Sequence, residues 1–281
     1  GQQEKGLMAV RGGGILRLVL VAALLLAGCG RDWLVTSHIN ADWYRRSLEE
    51  GHLNHWLEVA PTASGFFNTV FTRRWQPLPD QPGDIEGQVR IIYLMAAGYE
   101  LTGREVYRDH MLRGTEFLLR HFRDMRFGGW LEAVAPDGEM RSGRKLLGGQ
   151  AAALFALAHV YRVTGEERYL QAALVAWEEI QRRFGKVGRG LKTAMDREFR
   201  HFSAKRDQTS VMRLFEALLA LWEVSGRPEF KRGAQGLGDF VQQRLLQASS
   251  EGGAYVVEIY DNRWRPLMPK SGSGIDIGHQ F

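Results

Sequence analysis

The stretch KLLGGQAAALFALAHVYRVTGEERYLQAALVAWEEIQRRF occupies residues 145–184 and contains two helical patterns separated by one glycine. The first pattern is apolar on nearly every face, which is typical of a helix buried on all sides. The second has apolar residues at helical spacing with charges between them, which indicates a half-exposed outer helix. Gly165 stands between them, where the end of a helix often needs a left-handed residue. The stretch therefore predicts a helical hairpin.

The same pattern occurs three times along the chain. Thr-Gly or Ser-Gly pairs end at Gly103, Gly165 and Gly226, which are 62 and 61 residues apart. Each glycine has an aromatic residue four positions before it and another four positions after it. Tandem helical hairpins form either an open solenoid or a closed toroid. A solenoid would leave one face of the all-round apolar helices in water, so the sequence favours the toroid.

Longer connectors follow the outer helices. GGWLEAVAPDGEMR (residues 128–141) and GAYVVEIYDNRW (residues 253–264) predict short β-hairpins, turning at residues 136–138 and at Asp261 and Asn262. One further helix is predicted at about residues 39–59, ahead of the first connector. His52 and His55 are three residues apart on that helix, and we interpret them as a solvated helix face in preference to a metal site.

The N-terminus has the pattern of an export signal. Met8 is the predicted start, Arg11 and Arg17 follow it, and residues 18–27 are purely apolar. That apolar run is shorter than the roughly 20 residues a membrane-spanning helix needs. We predict a signal peptide at 1–28 with a lipobox at 26–29, and lipidation of Cys29, the single cysteine. An ordinary signal peptide with an incidental cysteine is the alternative.

Charge and composition restrict the partners. The net charge is +5, but lysines and arginines are scattered among acidic residues, so nucleic acid is not an expected partner. The predicted location is the bacterial cell envelope, with a lipid anchor in the membrane, and the periplasmic side of the outer membrane is favoured. A linker is predicted at residues 29–41. A homodimer stays open.

Three stretches and the final IDIGHQF carry a resemblance to a known family. The stretches are residues 87–103 (GQVRIIYLMAAGYELTG), 145–170 (KLLGGQAAALFALAHVYRVTGEERYL) and 208–226 (QTSVMRLFEALLALWEVSG). Together they resemble the acylglucosamine 2-epimerase family, which includes sugar isomerases and cellobiose 2-epimerases. The resemblance implies an all-α fold, an (α/α)6 barrel that is incomplete in this chain and spans residues 42–281. Short β-hairpins would lie in its connectors.

The resemblance also implies a reaction and its residues. A histidine removes a proton from the carbon next to a sugar carbonyl, an enediolate forms, and a proton returns, giving an epimerase or an aldose-ketose isomerase. His279 matches the first catalytic histidine, and Arg90 matches the arginine that holds the substrate oxygens. Gln150 is either a substrate contact or a helix cap. The expected partner is a mono- or oligosaccharide, and we predict neither a cofactor nor a metal.

This chain departs from the family pattern at three positions. Arg213 stands where several sugar isomerases have a histidine, Thr209 where many members have an asparagine, and Gly148 where a tyrosine often contacts sugar. We expect Arg213 and Thr209 to contact substrate. Cellobiose or mannose would then not be held by the usual contacts, and an acylated amino sugar stays open. The alternatives are a catalytically degenerate carbohydrate-binding lipoprotein and a polysaccharide hydrolase or lyase on the same toroid.

The repeat length sets a further expectation. Six hairpins of about 61 residues each need about 370 residues, whereas residues 29–281 supply about four such units. We therefore expect the sequence to be a fragment that is inactive by itself, with a glutamate following Phe281 in its parent.

Overall fold

The computed structural model describes residues 40–248 and 252–267, and the chain divides after Asn54 into two units. In the first unit, helix α1 (Ala41–Leu48) begins after Asn40, whose side-chain oxygen accepts the N–H of Trp43 at 3.0 Å. A π-helical turn, Glu49–Leu53, follows it. The predicted signal peptide, Cys29 and His279 lie outside the described residues. None of the helices described is both long and apolar enough to cross a membrane.

The described part of the second unit contains three helical hairpins, which follow the short helix α2 (Asn54–Val59). Their inner helices are α3 (Ile85–Thr102), α5 (Leu147–Thr164) and α7 (Gln208–Ser225). Their outer helices are α4 (Glu105–Phe117), α6 (Glu167–Arg183) and α8 (Pro228–Phe240). The outer helices α4 and α8 each continue into a π-helical turn, Leu118–Phe122 and Val241–Leu245.

Each hairpin turns at its predicted glycine. Gly103, Gly165 and Gly226 have φ angles of 68°, 66° and 65°, in the left-handed region where glycine carries no steric penalty. The N–H of each glycine donates to the carbonyl of the aromatic residue four positions earlier, at 2.7–2.8 Å. The predicted turns are therefore confirmed, together with their physical cause.

The inner helices pack against one another in chain order, α3 on α5 and α5 on α7, and each outer helix packs on its own inner helix. Helix α5 is the most enclosed of the three, since Ala153, Leu154 and Leu157 are fully buried. Helix α6 is half-exposed, with Trp177 buried and Val175 40% exposed. The predicted difference between inner and outer helices is confirmed.

Short antiparallel strands join the connectors to one another. The strands are β1 (Gly83–Asp84), β2 (Ala133–Val134), β3 (Met140–Ser142), β4 (Lys145–Leu146), β5 (Ala194–Met195), β6 (Lys205–Asp207), β7 (Leu246–Ala248), β8 (Ala254–Val256) and β9 (Ile259–Asp261). Strands β1, β4 and β6 each lead directly into an inner helix, and they pair with β2, β5 and β9 of the next connector. The long connectors are thus tied together at the end where the inner helices begin.

Local patterns predicted only part of this pairing. The hairpin that turns at residues 136–138 forms between β2 and β3. The turn at Asp261 also forms, with the N–H of Trp264 donating to the Asp261 carbonyl at 3.0 Å. Strand β8, however, pairs back with β7, and β9 pairs with β6 of the preceding connector. A local periodicity does not indicate which strands pair when the partners are far apart in the sequence.

Candidate functional site

A cleft of about 150 Å3 lies where the N-terminal halves of α3, α5 and α7 meet. Its charged lining residues are Glu86, Arg90, Arg213 and Glu216, and its apolar lining residues are Val89, Ala151, Ala152 and Phe155. The inner helices begin at the end held by the long connectors, so the cleft lies at that end. Arg90 and Arg213, both predicted as site residues, are thereby brought to one place.

One carboxylate lies between the two arginines. Glu86 Oε2 is 3.8 Å from Arg90 Nη2, and Glu86 Oε1 forms an ion pair with Arg213 Nη1. The Arg90 side chain is 69% exposed, whereas Glu86 and Arg213 are 26% and 29% exposed. Each guanidinium has five N–H donors, more than one shared carboxylate can use. The arrangement leaves donors that are able to hold substrate oxygens.

Two acidic residues near the start of α3 have separate roles. Asp84 caps the helix, since its Oδ1 accepts the N–H of Gly87 at 2.8 Å. Glu86, in the first turn, pairs with the arginines instead. Negative charge is favourable at a helix N-terminus because of the helix dipole. The sequence alone did not distinguish the capping residue from the pairing residue.

Because Gly148 has no side chain, the Glu86–Arg213 ion pair can occupy the space next to it. A Cβ atom built on Gly148 would lie 3.0 Å from Glu86 Oε1 and 3.4 Å from Arg213 Nη1. A larger side chain at this position would displace one of these groups. Gly148 and Arg213, two of the positions that we expected to differ from the family, therefore belong to one physical arrangement.

Gln150 does not line the cleft. It is 2% exposed, its Oε1 accepts the N–H of Trp130 at 2.9 Å, and its Nε2 donates to the Trp130 carbonyl at 2.9 Å. Gln88 holds the backbone of Phe67 in the same way, at 2.8 Å in both bonds. Gln88 and Gln150 occupy the same position in successive repeats. Both amides therefore fasten a connector to the start of an inner helix.

Thr209 is likewise outside the cleft lining. Its hydroxyl donates to Glu258 Oε1 in the connector between β8 and β9, and the N–H of Gln208 donates to the Glu258 carbonyl at 3.0 Å. These bonds attach the start of α7 to that connector. Thr209 is close in sequence to the cleft residue Arg213, but the structure does not bring its side chain to the cleft.

Sequence patterns did not single out some residues that line the cleft, or a histidine that packs against one of them. Glu216 and Phe155 line the cleft, and the spacing of three between Arg213 and Glu216 was the available signal. His159 packs against Phe155 and Tyr93, with ring centroids 4.3 Å and 4.6 Å away. It is 6% exposed, and neither ring nitrogen has a hydrogen-bond partner among the described residues. Burial, and secondarily Arg162, lowers the pKa of His159 to about 4.

No metal-binding group is apparent in residues 40–248 and 252–267. Within them, no three or more His, Cys, Asp or Glu side chains are grouped so that they could hold an ion.

Comparison with known proteins gives the family. The model of the N-acylglucosamine 2-epimerase (GlcNAc 2-epimerase) family matches residues 65–281. The cellobiose 2-epimerase of Bacteroides fragilis is 23% identical over 246 residues, covering 83% of this chain and 62% of that protein. The cellobiose 2-epimerase of Dictyoglomus turgidum is 21% identical, covering 80% and 61%. The chain thus spans about three fifths of the length of these relatives.

The fold has solved counterparts. The structure of cellobiose 2-epimerase from Bacillus thermoamylovorans matches with a TM-score of 0.73 at 19% identity, covering 80% of this chain and 60% of that one. This likeness, together with the three hairpins, confirms the predicted all-α toroid class.

Proposed function

This chain belongs to the N-acylglucosamine 2-epimerase family, and we propose on that premise that the protein is a carbohydrate epimerase or isomerase. The observation that carries the proposal is the cleft in which Arg90 and Arg213 share Glu86. The proposal concerns the whole protein, because the chain spans about three fifths of its curated relatives.

The proposed chemistry is proton transfer at the carbon next to the sugar carbonyl. Removing that proton places negative charge on the carbonyl oxygen, and a fixed cation beside this oxygen lowers the barrier. Of the three charged side chains Glu86, Arg90 and Arg213, Arg90 is the most exposed, and it is the residue we assign to this oxygen. His279 is the proposed base, because imidazole titrates near neutral pH.

The size of the cleft bears on the substrate. A volume of about 150 Å3 is below the roughly 300–1,000 Å3 of pockets that enclose a drug-sized ligand. It suits contact with the oxygens of one sugar ring. The curated relatives named above are cellobiose 2-epimerases, so the reducing-end ring of cellobiose is one candidate. An N-acylated amino sugar is the other.

The test is hydrogen exchange in deuterated water, followed by NMR. Full-length protein is incubated with cellobiose, N-acetylglucosamine, mannose and other aldoses, and deuterium is expected at the carbon next to the carbonyl. Arg90→Ala should slow exchange by about 10²–10³-fold. Arg141→Ala, which removes another exposed arginine outside the cleft, should leave the rate unchanged. Residues 1–281 alone, assayed in parallel, test the expectation that this stretch is inactive.

Absence of exchange on every sugar would refute the proposed function. Exchange that persists at the full rate in Arg90→Ala would refute the role of Arg90. A rate that falls equally in Arg90→Ala and Arg141→Ala would show a general charge effect instead of a specific contact.

We also propose that Cys29 carries a lipid. The support is the LLAGC pattern at residues 25–29 after an apolar run. Expression in bacteria supplied with an alkyne-labelled fatty acid should label the wild-type protein and leave Cys29→Ser unlabelled. Equal labelling of the two proteins, or no labelling of either, would contradict this proposal.

A further inference from the structure

A second cavity, of about 430 Å3, lies between the connector after α6 and the turn after β9. We call it the basic cavity. Among the described residues that line it, none is acidic and five are cationic: Lys186, Arg189, Lys192, Arg206 and Arg263. Three aromatic residues complete the wall: Phe184, Phe202 and Trp264. It shares no lining residue with the cleft at Arg90.

Arg206 is the innermost cation of the basic cavity. It lies on β6, is 5% exposed, and its Nη1 donates to the carbonyls of Ser203 and Lys205. Within the described residues, none of the five cations forms an ion pair. A buried guanidinium that meets only neutral acceptors bears a desolvation cost that a nearby anion would offset.

The nearest carboxylates are occupied elsewhere. Burial lowers the pKa of Arg206, and Asp207 and Asp261 oppose that shift. Asp207, however, caps α7 by accepting the N–H of Ser210 at 2.7 Å, and Asp261 pairs with Arg265 at 2.7 Å. Five cations thus lie near two carboxylates, one of which is already paired with Arg265, so the basic cavity keeps an excess of positive charge.

The aromatic wall is held firmly. Phe202 is 49% exposed, and Lys192 Nζ and Arg206 Cζ lie 4.8 Å and 5.4 Å from its ring centroid. Trp264 packs against Phe240, with ring centroids 5.1 Å apart. A Cβ atom on Gly190 would lie 2.4 Å from the Trp264 indole nitrogen, so the indole lies directly on the connector backbone.

Trp264 also has an unusual backbone conformation. Its φ angle is 62°, in the left-handed region that is unfavourable for a residue other than glycine. The packing of the indole on Gly190 and Phe240 offsets this cost and keeps the ring at the cavity wall. The cavity thus combines a fixed apolar surface with a group of cations.

We propose that the basic cavity binds a saccharide that carries an acid group, either a carboxylate or a phosphate. The acid group pairs with Arg206 and Lys192, and an apolar sugar face lies against Trp264 or Phe202. Charge-assisted hydrogen bonds to such oxygens are the strongest that these side chains make. Lys186, Arg189 and Arg263 surround the opening and attract the anion. The inference is independent of the proposed catalysis, because binding is measured without turnover.

The test is calorimetric titration of full-length protein with four probes: digalacturonic acid, glucose 6-phosphate, inorganic phosphate and cellobiose. At least one of the two acidic sugars should bind more tightly than both inorganic phosphate and cellobiose. Lys192→Gln combined with Arg263→Gln should weaken that binding about tenfold or more, because the first change removes a charge-assisted hydrogen bond and the second removes a cation at the opening. Arg232→Gln, an exposed arginine on α8 outside both cavities, should leave it unchanged.

The results with the two acidic sugars distinguish a carboxylate ligand from a phosphate ligand. Binding of digalacturonic acid alone assigns a carboxylate, and binding of glucose 6-phosphate alone assigns a phosphate. The proposal fails if neither acidic sugar binds, if inorganic phosphate or cellobiose binds as tightly, or if the double variant binds like the wild type. It also fails if Arg90→Ala removes the binding, because the ligand would then occupy the other cleft.

Discussion

The Lys145 ammonium and the Asp124 carboxylate form an ion pair of 2.9 Å in which neither side chain is more than 1% exposed. Arg197 adds a second cation, with its Nε 2.8 Å from Asp124 Oδ2. Asp124 Oδ1 also accepts the N–H of Arg126 at 3.1 Å. The carboxylate joins the connector after α4, strand β4 and the connector after α6. It therefore fixes the start of α5, where Gly148 lies under the Glu86–Arg213 ion pair.

We expect Asp124→Asn to lower the free energy of unfolding by about 3–5 kcal/mol, because the change leaves Lys145 buried without its counter-charge. Urea unfolding at pH 7 measures the effect. Asp109→Asn, at an exposed position on α4, should change stability by less than about 0.5 kcal/mol. A loss below about 1 kcal/mol for Asp124→Asn would show that Lys145 finds another partner.

The stabilisation from Asp124 should disappear in acid. Burial acts to raise the pKa of this carboxyl, but hydrogen bonds from Arg197 and Lys145 outweigh it and hold the pKa well below its usual range. The unfolded chain therefore takes up the proton more readily, and the contribution, complete above the unfolded pKa of about 3.9, falls at lower pH. The stability difference between wild type and Asp124→Asn should shrink from pH 6 to pH 3. A constant difference would contradict this interpretation.

His159 should give the protein a second pH dependence at higher pH. Burial, followed by Arg162, lowers the pKa of its imidazole to about 4. Between about pH 6.5 and pH 4 the unfolded chain carries a proton that the folded chain lacks, so stability falls as the pH falls. The loss is about 3 kcal/mol at most. His159→Phe keeps a ring beside Tyr93 and Phe155 and should reduce the slope in urea unfolding.

The control for His159 is His52→Phe, at an exposed position that has no ion pair among the described residues. That variant should retain the wild-type slope between pH 7 and pH 4. If His159→Phe also kept the full slope, the buried imidazole of His159 would not be the source of this pH dependence.

Gly148→Tyr should lower the free energy of unfolding by about 1–3 kcal/mol, because the ring competes for space with Glu86 and Arg213. In the Glu86→Ala background the cost should be smaller by at least about 0.5 kcal/mol. Urea unfolding of the wild type, both single variants and the double variant measures this coupling. Gly238→Tyr on α8, where the nearest atom to a new Cβ is a ring carbon of Phe215 at 3.8 Å, should show no coupling to Glu86→Ala. Additive effects at Gly148 would refute the steric link.

Gln150→Leu should lower stability by about 1–3 kcal/mol, since the buried backbone groups of Trp130 lose their partners. Gln88→Leu should have a similar effect through Phe67, because the two glutamines make equivalent bonds. Thermal and urea unfolding measure both. Gln171→Leu, which affects only an exposed bond to Glu167, is the control. Unchanged stability in Gln150→Leu would show that these bonds do not stabilise the fold, and Gln150 would again be a candidate substrate contact.

The helical hairpins were predictable because their signals are local. An apolar period of 3.6 and a glycine at the helix end are properties of about twenty neighbouring residues. Residues 145–184 thus predicted the pair that the structure shows as α5 (Leu147–Thr164) and α6 (Glu167–Arg183). The pairing of β6 with β9 was not predictable in this way, because its partners belong to different connectors.

The candidate site likewise has a part that was predictable from the sequence and a part that was not. Comparison with the family pointed to Arg90 as a match and to Arg213 as a departure at a site position, and both line the cleft. It also predicted Gln150, whose side-chain type suits a sugar contact equally well, but whose amide is bonded to the backbone of Trp130. The basic cavity has no counterpart in any sequence pattern, since its cations come from separate segments.

The order of residues was enough to predict a chain of helical hairpins, each with one buried and one half-exposed helix. Comparison with a family pointed to two arginines, Arg90 and Arg213, that line one cleft. Tertiary structure decided what those arginines contact: Glu86 lies between them, and its ion pair with Arg213 occupies the space next to Gly148. The physical reason is the distance along the chain between the residues that interact. Helices form from interactions three or four residues apart, whereas ion pairs and cavities depend on which helix ends and connectors the packing brings together.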